Sequence, residues 1–273
     1  MTFSPTLIAV PDPDAAADAV VRLLVEALPG VGTARGAAGP VLPDDAHDGP
    51  PGTVEGVPGA VAGVGTSDVH ADPSPRTAVA LTGGRSPIAA YRRLGAQPVD
   101  WSCVDVFLSD ERCVPYAHAD SNARAIDEAL GGGGYTLHRL AETGTPGDRA
   151  RAYAHELDDR PLALVLLGLG EDGHVASLFP GHGGLDANGA TVGILDSPKP
   201  PPERVSLTVS RISGAARIVL LVLGAGKSEA LRRTLEGPSP LAPASLLPAD
   251  RLTIVADADA LRAARDAGLV ARD

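Results

Sequence analysis

Six unbroken apolar residues, Leu162–Leu167, run straight into a glycine turn, Gly168-x-Gly170-x-x-Gly173. The same order of parts recurs along the chain. Thr77–Leu81 precedes TGGRSP and a helical pattern over 87–94. Val104–Leu108 precedes SDERCVP and a helical pattern over 121–130. Ile218–Leu223 precedes GAGK and a helical pattern over 228–235. Thr6–Val10, Arg204–Val209 and Leu252–Val255 read as further strands, and 15–28, 145–159 and 258–267 as further helices. Apolar strands alternating with helices predict an α/β fold with a mostly parallel sheet covered on both faces. Ligands of such sheets meet the carboxyl ends of the strands. The four polar turns, Thr82–Ser86, Asp110–Arg112, Gly170–His174 and Gly224–Lys227, are therefore expected at one sheet edge, forming one site.

Composition removes several classes of function. Apolar residues make up 44% of the 273, enough for a sizeable core, but aromatics are only 3%, so that core is aliphatic and offers little to stack bases on. A net charge of −11 repels a phosphate backbone, which excludes nucleic acid as a partner. A small anion is different, because a few local cations and backbone N–H groups suffice to hold it. The two cysteines, Cys103 and Cys113, form neither a disulfide framework nor a zinc pattern. The N-terminus lacks the charge and apolar core of a secretory signal, and no apolar run approaches the roughly 20 residues of a membrane span. The expectation is a cytoplasmic protein with no membrane partner. Residues 29–75, rich in Gly, Pro, Asp and Ala and without periodicity, read as a flexible insertion in a single domain spanning 1–273. His47 and His70 lie in it and receive no role.

The glycine pattern after Leu167 matches a dinucleotide fingerprint, but its context fails. Such a site needs a long helix directly after the glycines. Here Val175–Phe179 allows about one helical turn before Pro180, Gly181, Gly183 and Gly184, and no crossover helix leads to Asp196. The residues inside the turn are of more interest. His174, two after Asp172, carries the side chain best matched to proton transfer near neutral pH. In TGGRSP the glycines allow an anion close to the backbone; Ser86 reads as an N-cap, Pro87 suits the first helical turn, and Arg85 adds charge. Lys227 at a helix start opposes the helix dipole, a conflict that a bound anion would resolve. Asp110, Glu111 and Arg112 follow an apolar strand; Glu111 reads as a member of a surface salt bridge. No metal site is expected, since His174 and His182 are eight apart and no H-E-x-x-H or Cys-rich cluster exists.

Taken together and in this order, the motifs resemble the 6-phosphogluconolactonase family, within the wider glucosamine-6-phosphate deaminase/isomerase superfamily. The likeness runs from about Arg76 to Asp259. TGGRSP stands where the family has a Ser-Gly-Gly-Ser-Thr-Pro-like loop, with Arg85 replacing a small residue. DERCVP with Ser121 and Asn122 fits Asp-Glu-Arg-x-Val-Pro…Ser-Asn. GLGEDGHVASLFPG fits the histidine block nearly throughout, and SPKPPPERVSLT and GAGKSEAL fit later blocks. The resemblance implies a three-layer αβα fold with a Rossmann-like central sheet, of the sugar-phosphate isomerase type. It implies hydrolysis of 6-phospho-D-glucono-1,5-lactone to 6-phosphogluconate without a cofactor, the partner being a small phosphorylated sugar lactone; monomer and homodimer both stay open. His174 would take the proton from water, with Asp172 or Asp110 orienting it. Thr82, Gly83, Gly84, Arg85, Ser86 and Lys227 would hold the phosphate, with Arg204 a further candidate. Arg112 and backbone N–H groups would meet the oxyanion. An amino-sugar phosphate deaminase/isomerase would show Gly-His-Ile-Ala-Phe-Asn-Glu-Pro, whose Glu is missing from Gly173–Pro180. A non-catalytic sugar-phosphate sensor would have lost His174 or the acids, and all are present.

Overall fold

The structure, a computed structural model, describes residues 3–30 and 76–271. The elements follow in chain order: β1 (Thr6–Val10), α1 (Pro13–Ala27), β2 (Thr77–Leu81), α2 (Arg85–Gly95), β3 (Val104–Leu108), β4 (Asp110–Arg112), α3 (Asn122–Leu130), β5 (Thr136–Leu137) and α4 (Pro146–Leu157). After these come β6 (Leu162–Gly168), β7 (Thr191–Ile194), β8 (Arg204–Leu207), α5 (Val209–Ser213), β9 (Ile218–Val222), α6 (Ser228–Leu235), β10 (Leu252–Asp257) and α7 (Ala258–Asp266). Of the stretch read as an insertion, 31–75 lies outside the described residues, with His47 and His70. Its first two residues are tied to the fold: Asp100 N–H donates to the Pro29 carbonyl at 2.9 Å, and Gly30 bridges to Val99.

Seven strands form one wholly parallel sheet in the order β1-β10-β9-β6-β2-β3-β5. Every residue of β3 and β9 is buried, as expected where helices cover both faces. The core is aliphatic; Tyr91, Phe107 and Phe179 are its largest fully buried side chains. Helix α1 shows how the sequence builds this. Asp12 caps it by accepting from Ala15 N–H at 2.8 Å, Pro13 opens the first turn, and Ala16, Val20 and Leu24 recur on the buried face. From β2 the chain moves one way through the sheet, to β3 and β5; from β6 it moves the other, to β9 and β10. The divide between β2 and β6 is a topological switch point, where ligands of open α/β sheets bind.

A second sheet departs from the sequence reading. Asp110–Arg112 is not a loop but strand β4, antiparallel to β8, which in turn pairs with β7. Three residues are too few to show a period, and an acidic and basic triplet lacks the apolar signal of a strand. Nor does 175–179 form a helical turn; Val175 and Leu178 make an isolated bridge there. No helix among the described residues is long and apolar enough to cross a membrane.

Candidate active site

At the carboxyl ends of β9, β6, β2 and β3 lies a cleft of about 660 Å³. Thr82, Gly83, Gly84, Arg85, Ser86, Asp110, Arg112, His174, Arg204 and Lys227 all line it. The convergence expected from the four turns is thus observed. Of the expected site residues, Asp172 alone stands behind this lining, against His174.

The histidine turn explains the glycines. Gly170 N–H donates to the His174 carbonyl at 2.8 Å, and Gly173 N–H to the Gly170 carbonyl at 3.0 Å, closing a tight loop. Gly173 has φ of 101°, a conformation natural only to glycine. A Cβ on Gly170 would lie 2.0 Å from His174 Nδ1. The pattern that mimics a dinucleotide fingerprint is the mould of a histidine. His174 Nδ1 lies 2.6 Å from Asp172 Oδ1, so the pair left open by the sequence is His174 with Asp172. Since an ionised carboxylate only accepts, the neutral imidazole carries its proton on Nδ1 in this arrangement, with the lone pair on Nε2. Burial pushes the Asp172 carboxyl up. The bond and charge of His174, with Lys199 Nζ at 3.5 Å, outweigh this and hold it well below the usual carboxylate range. The ring packs on Phe179, centroids 4.8 Å apart. Beside it, Ala176 adopts φ of 50°, a left-handed conformation that costs a non-glycine residue about 1 kcal/mol and clusters at functional sites.

Asp110 serves elsewhere. Its carboxylate accepts from Ser177 Oγ at 2.7 Å, and its carbonyl from Asn122 Nδ2 at 2.9 Å. Glu111 is buried, not part of a surface ion pair. It accepts from Ser121 Oγ and from the N–H groups of Arg112, Asn122 and Ala123, fixing the start of α3. Burial raises its carboxyl above the ordinary value, against the pull of those backbone bonds. Arg204, buried, donates from Nε and Nη2 to the carbonyls of Pro201, Lys199 and Pro200, and from Nη1 only at 3.5 Å to Ser177 Oγ. Most of the donor capacity assigned to a phosphate is therefore committed to the 199–201 loop. Arg112 reaches the Asp120 carbonyl through Nη1 at 2.7 Å, and its buried Nε has no partner.

Two helix starts also open onto the cleft. Side chains of Asp12, Ser121, Thr145, Thr208 and Asp257 cap α1, α3, α4, α5 and α7. Helices α2 and α6 have no side-chain cap, and both open onto the cleft. Ser86 is not the N-cap that the sequence suggested. Gly84 holds that place with φ of 98°, and helix α2 already begins at Arg85. Its free N–H groups and dipole suit an anion. Gly83 cannot carry a side chain, because a Cβ would lie 1.8 Å from Asn122 Oδ1. At α6, Gly224 takes φ of 86° and donates to both carboxyl oxygens of Asp257, at 3.0 and 2.9 Å, which aims the turn that carries Lys227. Burial pulls the Lys227 ammonium below its ordinary value; Lys199 and Arg85 add to that, while Glu171 and Asp172 oppose it. An anion in the cleft would relieve this crowding of positive charge.

Lys199 and Ser177 were not singled out by sequence reasoning. Both sit inside blocks matched as wholes, and neither has a local signal of its contact. No group of three or more potential metal ligands occurs among the described residues.

A carboxylate-paired imidazole on the same cleft as two uncapped helix starts and a lysine defines a class, an α/β fold with a polar, cation-bearing cleft at the switch point of its sheet. Comparisons narrow this. Residues 66–255 match the family model described as glucosamine-6-phosphate isomerases/6-phosphogluconolactonase. A 6-phosphogluconolactonase of Pseudomonas putida is 38% identical over 169 residues, covering 58% of this chain and 70% of that protein. The chloroplastic 6-phosphogluconolactonase 3 of Arabidopsis thaliana is 36% identical over 196 residues, covering 63% of this chain and 60% of that protein. Among solved structures, a 6-phosphogluconolactonase from Shewanella baltica superposes with a TM-score of 0.72 at 21% identity, covering 94% of this chain and 100% of that one. A monomeric glucosamine-6-phosphate deaminase superposes with a TM-score of 0.69 at 16% identity, covering 94% and 99%. At these identities the structures establish the fold. The chain is a member of the glucosamine-6-phosphate isomerase/6-phosphogluconolactonase family.

Proposed function

We propose that the protein hydrolyses 6-phospho-D-glucono-1,5-lactone to 6-phosphogluconate, as the names of its relatives suggest. The observation that carries this reading is the His174–Asp172 pair, 2.6 Å apart, on the same cleft as the uncapped starts of α2 and α6. His174 Nε2 takes a proton from water as the water oxygen attacks the lactone carbonyl. Asp172 holds the imidazole in the required tautomer and stabilises the imidazolium that forms. The tetrahedral oxyanion is met by cleft donors, with Arg112, whose buried Nε has no partner, the cationic candidate. When the intermediate collapses, the ring C–O bond breaks and the imidazolium returns its proton to the departing ring oxygen. The 82–86 turn, with Arg85, and Lys227 hold the phosphate; binding there orients the reacting carbonyl. No step calls for a cofactor or metal.

The same reading takes the chain as one catalytic domain with 29–75 as an insertion. In support, β1 before the insertion and β2 after it belong to one sheet. A cytoplasmic location is supported by two cysteines that are both free. The test of the reaction is hydrolysis of freshly made 6-phosphogluconolactone above the spontaneous background, with wild type and His174→Ala side by side. Fast wild type with a mutant near background is the expected result; a folded wild type that adds nothing to the background would overturn the assignment.

A further inference from the structure

Lys199 lies on the loop between β7 and β8, outside the motifs that supply the imidazole and the anion site. Its Nζ is 3.5 Å from Asp172 Oδ1, the same oxygen that His174 Nδ1 approaches at 2.6 Å. One carboxylate oxygen therefore serves two cationic or protonatable groups. The loop is held firmly for this. Lys199 N–H donates to Ser197 Oγ, and the carbonyls of Lys199, Pro200 and Pro201 all accept from the buried Arg204 guanidinium. Arg204 in turn belongs to β8, whose partner β4 carries Asp110. The small second sheet thus carries a chain of contacts that ends on the back of the histidine–aspartate pair.

We propose that Lys199 is a positioning residue that sets the strength of this pair. By sharing Asp172 Oδ1, it limits how far that carboxylate can hold a proton on His174, and so leaves the imidazole free to act as a base. The proposal rests on the reaction given above, in which His174 is that base. A carboxylate facing imidazole alone favours imidazolium; a nearby ammonium opposes it. The other charges around the pair are fewer in contact. Arg233 of α6 donates to the Asp172 backbone carbonyl at 3.3 Å, Lys227 stands at the start of the same helix, Glu171 lies on the histidine turn, and Arg204 sits over the Phe179 ring. None of these is placed on the shared oxygen.

The test is a titration of His174 by NMR in the ligand-free protein, the resonance assigned by its loss in His174→Ala. Lys199→Gln should raise the titration midpoint, and Lys199→Arg should return it close to wild type. The acidic limb of kcat/KM should move with it. A midpoint unmoved by Lys199→Gln overturns the proposal, as does a loss of kcat equal at every pH, which a merely structural lysine would give. The NMR readout needs no substrate. A moved midpoint in a protein without lactonase activity upholds the coupling and sinks the reaction; an unmoved one in an active enzyme does the reverse.

Discussion

A side chain at Gly170 and the present position of His174 exclude one another: a Cβ there would lie 2.0 Å from His174 Nδ1 and 2.4 Å from Asp172 Oδ1. Gly168, in the same motif, has nothing within 4 Å of the corresponding point. The two glycines therefore separate two explanations of the pattern. Gly170→Ala should displace the imidazole and lower kcat by about 10²-fold, the order of loss seen when a catalytic group moves by 1 Å. Gly168→Ala, whose methyl would enter the open cleft without touching the imidazole, should leave His174 in place and show any loss in KM rather than in kcat. Steady-state kinetics of the two variants checks this, with circular dichroism to confirm that both are folded.

Asp172 faces Nδ1 as an acceptor. An asparagine at that position can turn its amide N–H toward the ring, which places the imidazole proton on Nε2 and removes the base. Asp172→Asn should therefore lower kcat by about 10²- to 10⁴-fold with little change in KM. Asp110→Asn tests the rival orienter. Its carboxylate bonds Ser177, not the imidazole, so any loss it causes should not mimic the tautomer change at Asp172.

How far the sequence discloses this site depends on the range of each contact. The histidine turn is legible because Gly170, Asp172 and His174 fall within five residues and meet locally. The anion turns are legible because glycine after an apolar strand has a conformational reason to be there. Helices α2 and α6 are legible in the sequence, but the missing side-chain cap of α2 is not, since Ser86 has the right chemistry two residues past the true cap, Gly84. Glu111 was misread for a related reason. Its four partners are N–H and O–H groups, three of them from residues 121–123, and a carboxylate satisfied by distant backbone looks like any charged residue in a sequence. Lys199 against Asp172, and Asp110 against Ser177, join segments 27 and 67 residues apart. The second sheet brings them together; β8 is legible as the strand pattern at 204–209, but the three-residue β4 is too short and charged to show a period, and nothing local pairs it with β8.

Stability at acid pH should depend on Asp105, at the amino end of β3 and away from the cleft. Its carboxylate is 4% exposed and meets Arg76 Nε at 2.9 Å, Arg160 Nη1 at 3.0 Å and His138 Nε2 at 3.1 Å. Burial raises the carboxyl; His138 and Arg76 outweigh this and hold it below the ordinary value of 3.8. A lowered folded value means stability that is fully present above about pH 4 and lost as pH falls through the folded value. Asp105→Asn should cost about 3 kcal/mol at neutral pH, and the difference from wild type should shrink below pH 4. Urea unfolding midpoints across pH 3–7 measure it; a constant difference would sink the assignment.

The phosphate role of Lys227 makes the last prediction a matter of substrate rather than rate alone. Lys227 stands at the uncapped start of α6 on the same cleft as the turn at Gly83 and Gly84. A charge-assisted bond between an ammonium and a phosphate contributes about 1.5–3 kcal/mol. Lys227→Met should therefore reduce kcat/KM for 6-phosphogluconolactone by about 10- to 100-fold. Unphosphorylated glucono-1,5-lactone has no group to meet the lysine, so its slower hydrolysis should be nearly unchanged by the same substitution. The two substrates on two proteins form a cycle whose coupling isolates the phosphate contact. Equal losses on both substrates would move Lys227 from the phosphate to the reacting lactone, and would leave the α2 turn with Arg85 to carry the phosphate alone.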